Sequence, residues 1–302
     1  MIAPSGSVAA AVAVVAVAAA IVLAAAFVVY RTRQSDLKAY DLTTRAVRLY
    51  ELGSAVEVDK ARVPATPRGG DFSYSFWLEV DAYDATGAHR VVFARAVEGD
   101  AGVLPGDRSV GMRMSPLVVL DKDANRLHVL LRTTASRDDG AAGAVADVAD
   151  VVEDPTRYGW TMATVAYLPL QRWVNVAFAV RGGKLTLYLD GDVYTVENTA
   201  FLNNKPAAAA AGAPAAGVLP EATRGSVFVG MLPGAAAPAA KPIPGVLTKL
   251  RFYNYALGNA EAKAVYLEGP VQRTLTTRIG LPAYGVQAPV YRTDRPGSDE
   301  AT

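Results

Sequence analysis

Trp173-Val174-Asn175-Val176-Ala177-Phe178-Ala179-Val180, then Arg181-Gly182-Gly183, then Lys184-Leu185-Thr186-Leu187-Tyr188-Leu189 is the stretch that decides the fold class. Two apolar runs of strand length flank a glycine pair, the pattern of a β-hairpin. Asp190-Gly191 marks the next turn, into Val193 to Val196. The same rhythm repeats on both sides. Phe72, Tyr74 and Phe76 alternate with Ser73, Ser75 and Trp77. Val91 to Ala94, Leu117 to Leu120 and Leu127 to Leu131 are short apolar runs, and Asp121-Lys122-Asp123-Ala124-Asn125 is the turn between the last two. Ser226 to Gly230 and Val246 to Tyr253 add two strands, and Asn259 to Leu267 is one late helix. Short strands joined by turns predict an all-β fold, an antiparallel two-sheet sandwich over residues 56–269. Trp77 and Trp173 are expected in its core.

The chain has 302 residues, enough for one large sandwich with an anchor and a tail. A formal charge of +1 gives no field that would draw nucleic acid. With no cysteine there is no disulfide framework, thiolate nucleophile or cysteine zinc site. The two histidines, His89 and His128, leave little scope for a His-rich metal site.

Val8 to Tyr30 carries no charge and consists of Ala, Val, Ile, Leu, Phe and Tyr. At ~1.5 Å per residue a helix of that length spans the ~30 Å hydrocarbon core. A signal peptide would have a basic start and a shorter apolar run of ~7–15 residues. The expectation is a short N-terminus (1–7), a transmembrane helix (8–30) and a juxtamembrane stalk (31–55), helical over Ser35 to Leu52. Arg31 and Arg33 flank the span, so the positive-inside rule puts the C-terminal domain on the cytoplasmic side.

Glu98 to Val110, Ala135 to Trp160, Asn203 to Arg224 and Pro233 to Gly245 are rich in Ala, Gly or Pro and read as inserted loops, either solvated or partner-contacting. Pro270 to Thr302 reads as an extended C-terminal arm, either disordered or clamped on a neighbour. Arg273, Arg278, Tyr284, Tyr291 and Arg292 are its candidate partner contacts.

Several ordered phrases carry a family resemblance. Asp71 to Trp77, Leu170 to Ala177 with Leu185 to Gly191, and Pro244 to Leu247 with Leu250 to Leu257 resemble strands of laminin-G/concanavalin-A-like jelly rolls. More narrowly, the anchor, the Tyr74-Ser75-Phe76-Trp77 strand, Ser115 to Asp121 and Gly280 to Val286 look like membrane proteins of large double-stranded DNA viruses that carry such a domain. That resemblance implies a minor virion component that tethers an internal membrane to the capsid shell, with a lipid bilayer and capsid proteins as partners. The alternative is a membrane-bound lectin that takes a glycan; a glycoside hydrolase is the remote third.

No catalytic set is complete. Glu79-Val80-Asp81-Ala82-Tyr83-Asp84 resembles the Glu-x-Asp strand of sandwich glucanases, but Tyr83 and Asp84 stand where the second catalytic carboxylate belongs. His128 alternates with Leu127 and Val129 and reads as a sheet-face histidine. Asp121-x-Asp123-x-Asn125 imitates the opening of a calcium loop, yet Arg126 replaces the glycine and Arg132 the closing glutamate. No metal or other cofactor is therefore expected; jelly rolls that bind Ca²⁺ make Asp121, Asp123 and Asn125 its only candidate ligands. Those three residues and Trp160 are the candidate ligand-binding set. The expectation is a binding or structural protein, not an enzyme.

Overall fold

The computed structural model describes residues 38–43, 45–66, 70–84, 87–97, 113–134, 148–155, 157–182, 184–194, 220–233 and 242–270, and helical positions at 15, 18, 19 and 21–25. Its strands are β1 (Ala39–Asp41), β2 (Val47–Arg48), β3 (Val56–Val58), β4 (Phe72–Val80), β5 (Arg90–Ala96), β6 (Met114–Leu120), β7 (Leu127–Arg132), β8 (Trp160–Val165), β9 (Trp173–Arg181), β10 (Lys184–Leu189), β11 (Asp192–Val193), β12 (Val227–Val229) and β13 (Gly245–Tyr253). Helix α1 is Val148–Glu153 and α2 is Asn259–Leu267.

Two antiparallel sheets form a sandwich. The first runs β1-β13-β4-β9-β10-β11, with β2 also on β13; the second runs β3-β12-β5-β6-β7-β8. The hairpin read from Trp173 to Leu189 is β9–β10, paired from Arg181↔Lys184 to Val176↔Leu189. Alternation sorts each strand by side. Phe72, Tyr74, Phe76, Leu78 and Val80 of β4 meet Val174, Val176, Phe178 and Val180 of β9 and Leu127, Val129 and Leu131 of β7 in the core between the sheets. Tyr74 stacks on Phe178 at 5.4 Å, and Phe76 meets Phe93 edge-on at 5.3 Å.

The core also holds a charge. Arg95 is 0% exposed and lies with its guanidinium 5.4 Å from the Phe252 ring. It donates to the carbonyls of Pro64 (2.8 Å), Gly225 (3.3 Å) and Val63 (3.4 Å) and to the Tyr74 hydroxyl (3.3 Å). A buried cation is tolerated only when its donors are filled, so Arg95 pins two loop segments into the sandwich.

Both outward faces are covered in part by the chain itself. On the first sheet α2 packs through Ala262 and Val265 onto Ala177, Ala179 and Tyr188, and Tyr266 stacks on Trp77 at 5.6 Å. The Asp190-Gly191 turn admits this helix. Gly191 has φ +80°, and a Cβ there would fall 2.7 Å from Cβ of Tyr266. On the second sheet α1 and Tyr158 cover Met114, Leu117, Leu130 and Trp160.

Two expectations are corrected. Over its described part the helical stalk does not form: Ala39–Asp41 and Val47–Arg48 pair with β13, and Leu49–Glu51 is a 3₁₀ turn. Leu42 and Leu49 are 3% and 1% exposed, so their spacing serves the sandwich core and not a free helix. Trp173, expected in the core, is only half-buried and belongs to none of the three apolar clusters. The second inserted stretch also contains α1 and the buried Val151, Val152 and Tyr158.

Among the described residues no helix is long and apolar enough to cross a membrane. Most of the expected span 8–30, together with Arg31 and Arg33, lies outside them, as do Arg273, Arg278, Tyr284, Tyr291 and Arg292 of the arm.

Candidate functional site

Outward positions of three neighbouring strands build the site. His128 of β7 is registered between Val119 of β6 and Thr164 of β8. Its neighbours Leu127 and Val129 point into the core, so alternation turns His128 outward; Ala163 and Val165 do the same for Thr164. Asp121 immediately follows β6, and His89 immediately precedes β5. An open cavity of about 530 Å³ lies over them, with Lys122, Arg126, Glu153 and Met162 also in its lining.

A hydrogen-bond chain organises the floor. His128 Nε2 lies 2.8 Å from Asp121 Oδ2, and His128 Nδ1 lies 2.9 Å from Thr164 Oγ1. Burial works against the Asp121 carboxylate. The backbone N–H of Asp123 (2.7 Å), His128 and the N–H of Ala124 (3.1 Å) outweigh it, and the pKa falls to about 2. For His128 burial prevails over the pull of Asp121 and lowers the pKa below its ordinary 6.5. These directions fix the proton positions near neutral pH. An ionised carboxylate cannot donate, so Nε2 carries the hydrogen and donates to Asp121. Nδ1 of the neutral ring then accepts from the Thr164 hydroxyl. The Thr164 lone pairs remain available to a ligand.

His89 completes the wall, its ring 6.3 Å from that of His128 and nearly perpendicular to it. Burial lowers the His89 pKa too, against the pull of the nearby Asp121 carboxylate. At the rim Lys122 pairs with Glu153 at 2.6 Å. Tyr83 supports the turn from behind by donating to the Asp121 carbonyl at 3.1 Å.

The structure separates the sequence-derived candidates. Asp121 and Asp123 both line the cavity. Asn125 turns away, its Nδ2 donating to the Leu168 carbonyl. The three do not converge as ligands of one ion: Asp121 Oδ1 caps its own turn and Oδ2 holds His128. Among the described residues no group of three or more His, Cys, Asp or Glu side chains is placed to hold a metal. Trp160 is 0% exposed beneath the Tyr158 and α1 cover, with Arg132 5.8 Å from its ring, so no face of it is open to a ligand. Thr164 and His89 were missed. Thr164 is an unremarkable strand residue, and only the β7–β8 register brings it to His128.

Thr164 and Asp121 present oxygen acceptors to the cavity. The Asp121–His128–Thr164 chain also has the form of a base beside a hydroxyl nucleophile. Acyl transfer further requires donors preset for a developing oxyanion; the fixed groups of this floor present acceptors.

No family model matches the sequence, and no curated protein matches it. Solved structures do. The botulinum neurotoxin serotype D ligand binding domain in complex with N-acetylneuraminic acid matches at 10% identity and TM-score 0.44, over 78% of this chain and 44% of that one. The botulinum neurotoxin serotype G binding domain matches at 11% and 0.42, over 76% and 46%. Trypanosoma rangeli sialidase matches at 15% and 0.39, over 77% and 29%. The chain thus spans less than half of each of these proteins, and likeness at this level carries no functional argument.

Proposed function

We propose that this protein is a membrane-anchored binding module without catalytic activity, and that the cavity on its second sheet takes a hydroxyl-rich ligand, a glycan. The observation that carries the reading is the Asp121–His128–Thr164 chain on the cavity floor, which holds two oxygen acceptors in fixed orientation. Sugar hydroxyls donate to such oxygens, and Lys122 and Arg126 at the rim can donate in return. Val15, Ile21, Val22 and Leu23 support the anchor: they are helical and between 64% and 70% exposed, apolar surface that a bilayer would cover. With Arg31 and Arg33 following them, the sandwich stands on the cytoplasmic side.

A glycan array probed with the full chain in a non-glycosidic detergent tests this. At least one glycan should bind, and Thr164→Val or Asp121→Asn should each weaken binding at least tenfold. Absence of any glycan bound by the folded chain would overturn the reading.

The same anchor favours a second reading, in which the sandwich and residues 270–302 tether a membrane to a neighbouring structural protein such as a capsid shell. Cross-linking mass spectrometry of the native membrane or particle should then join the arm to that protein. An arm free of intermolecular cross-links would exclude it.

A further inference from the structure

The outward face of the first sheet carries three features that the fold leaves without a role. Leu78, Val80, Val174 and Val176 point into the core, so Trp77, Glu79, Trp173 and Asn175 point away from it. In the β4–β9 register Glu79 faces Trp173 and Trp77 faces Asn175. Asn175 is therefore the diagonal neighbour of Glu79, at about 7–8 Å between backbones.

The first feature is Trp173, a half-buried indole outside every apolar cluster. The second is Glu79, 7% exposed, whose Oε2 is sealed from water and has no hydrogen-bond partner among the described residues. The third is Oδ1 of Asn175, fully buried and equally unpaired. The amide is oriented by its own Nδ2, which donates to the Phe76 carbonyl at 3.2 Å. Two unpaired buried acceptors on diagonal positions of one face are unfavourable and call for a donor. Burial, and after it the neighbouring Asp81 carboxylate, raises the Glu79 pKa. That suits it to exchanging hydrogen bonds with a neutral hydroxyl.

We propose that Trp173, Glu79 and Asn175 form a second binding site, for a pyranose sugar whose C–H face stacks on the indole and whose hydroxyls donate to Glu79 Oε2 and Asn175 Oδ1. A metal ion or a shared proton would satisfy the two oxygens but leave Trp173 without a role. An aromatic ligand would use Trp173 but not the oxygens. A sugar has both an apolar face and donors at its edge. Binding requires the side chains that cover the two oxygens to move aside, and the ligand then supplies the donors they lack. The site lies on the opposite side of the sandwich from the His128 cavity and does not depend on it.

Saturation-transfer NMR on the full chain in a non-glycosidic detergent tests the proposal, with the methyl β-glycosides of glucose, galactose, mannose and N-acetylglucosamine as probes. At least one glycoside should receive magnetisation at its ring C–H protons and change the tryptophan fluorescence. Trp173→Ala and Glu79→Gln should each weaken it at least tenfold, Trp173→Phe should retain it within a few-fold, and Asp121→Asn in the other cavity should leave it unchanged. No transfer to any of the four glycosides overturns the proposal. So does undiminished binding by a natively folded Trp173→Ala protein. Stabilisation by calcium chloride that Glu79→Gln abolishes, with no glycoside effect, replaces the sugar with a cation.

Discussion

The outward faces of the two sheets begin from the same problem and solve it differently. Each is the second face of a sheet whose first face is already buried. On the first sheet, Ala177 and Ala179 leave room for a helix, and α2 lies down on them through Ala262 and Val265. On the second, Met114, Leu117, Leu130 and Trp160 bring α1 and Tyr158 down over one part. The part that carries His89, His128 and Thr164 stays open as the cavity. Small residues admit a roof, large apolar residues draw one, and a polar pair such as His128 and Thr164, already bonded to each other, needs none. Function on such a sandwich is therefore to be sought where the outward pattern departs from apolar, not where the strands are most regular.

The largest test of that contrast is Trp160→Ala. It removes the largest side chain under the α1 cover and should lower the unfolding free energy by about 3–5 kcal/mol, read by denaturant titration. A loss of the size a surface substitution gives would mean that the cover does not depend on it.

Overfilling the other roof comes next. Ala177→Leu places a branched side chain where Ala262 and Val265 now touch the sheet, and should cost about 1–3 kcal/mol. Neutral behaviour would show that α2 floats on the face.

Acid should act on the open part. The folded pKa values of His89 and His128 lie below 6.5. As pH falls through 6.5 the unfolded chain takes up protons that the folded chain refuses, so stability falls with pH until the folded values are passed. Asp121 acts in a lower window: its folded pKa of about 2 lies below the ordinary 3.8, so it stabilises above 3.8 and that stabilisation is lost between about 3.8 and 2. His128→Gln should flatten the upper window in thermal melts run from pH 8 to pH 5. An unchanged slope would place the acid sensitivity elsewhere.

The smallest effect is expected from Trp173→Ala. A half-buried indole outside the clusters should cost no more than about 1 kcal/mol, against the larger loss at Trp160. A loss equal to that of Trp160→Ala would return Trp173 to the core.

Much of the sandwich was legible because strand signals are local. The β9–β10 hairpin, the Asp121–Asn125 turn and the helix from Asn259 to Leu267 all lie where alternation, turn residues and 3.6-residue spacing put them. The segment from Ala39 to Leu49 was misread for a related reason. Leu42, Val47 and Leu49 have a spacing that suits a helix, and nothing nearby in the chain announces that β13, some two hundred residues later, will claim them. Of the site, Asp121 and Asp123 were visible as a turn rich in carboxylates. Thr164 was not, because its partner His128 comes from another strand.

The order of apolar and turn residues along the chain is sufficient for an all-β sandwich, since periodicity and turn chemistry act over a few residues. It cannot say which strand lies beside which, how the registers align or which outward face a distant helix will cover. Those depend on contacts between residues far apart in sequence. The Asp121–His128–Thr164 chain, the burial of Trp160, the half-burial of Trp173 and the lodging of Arg95 among carbonyls are all consequences of that long-range pairing.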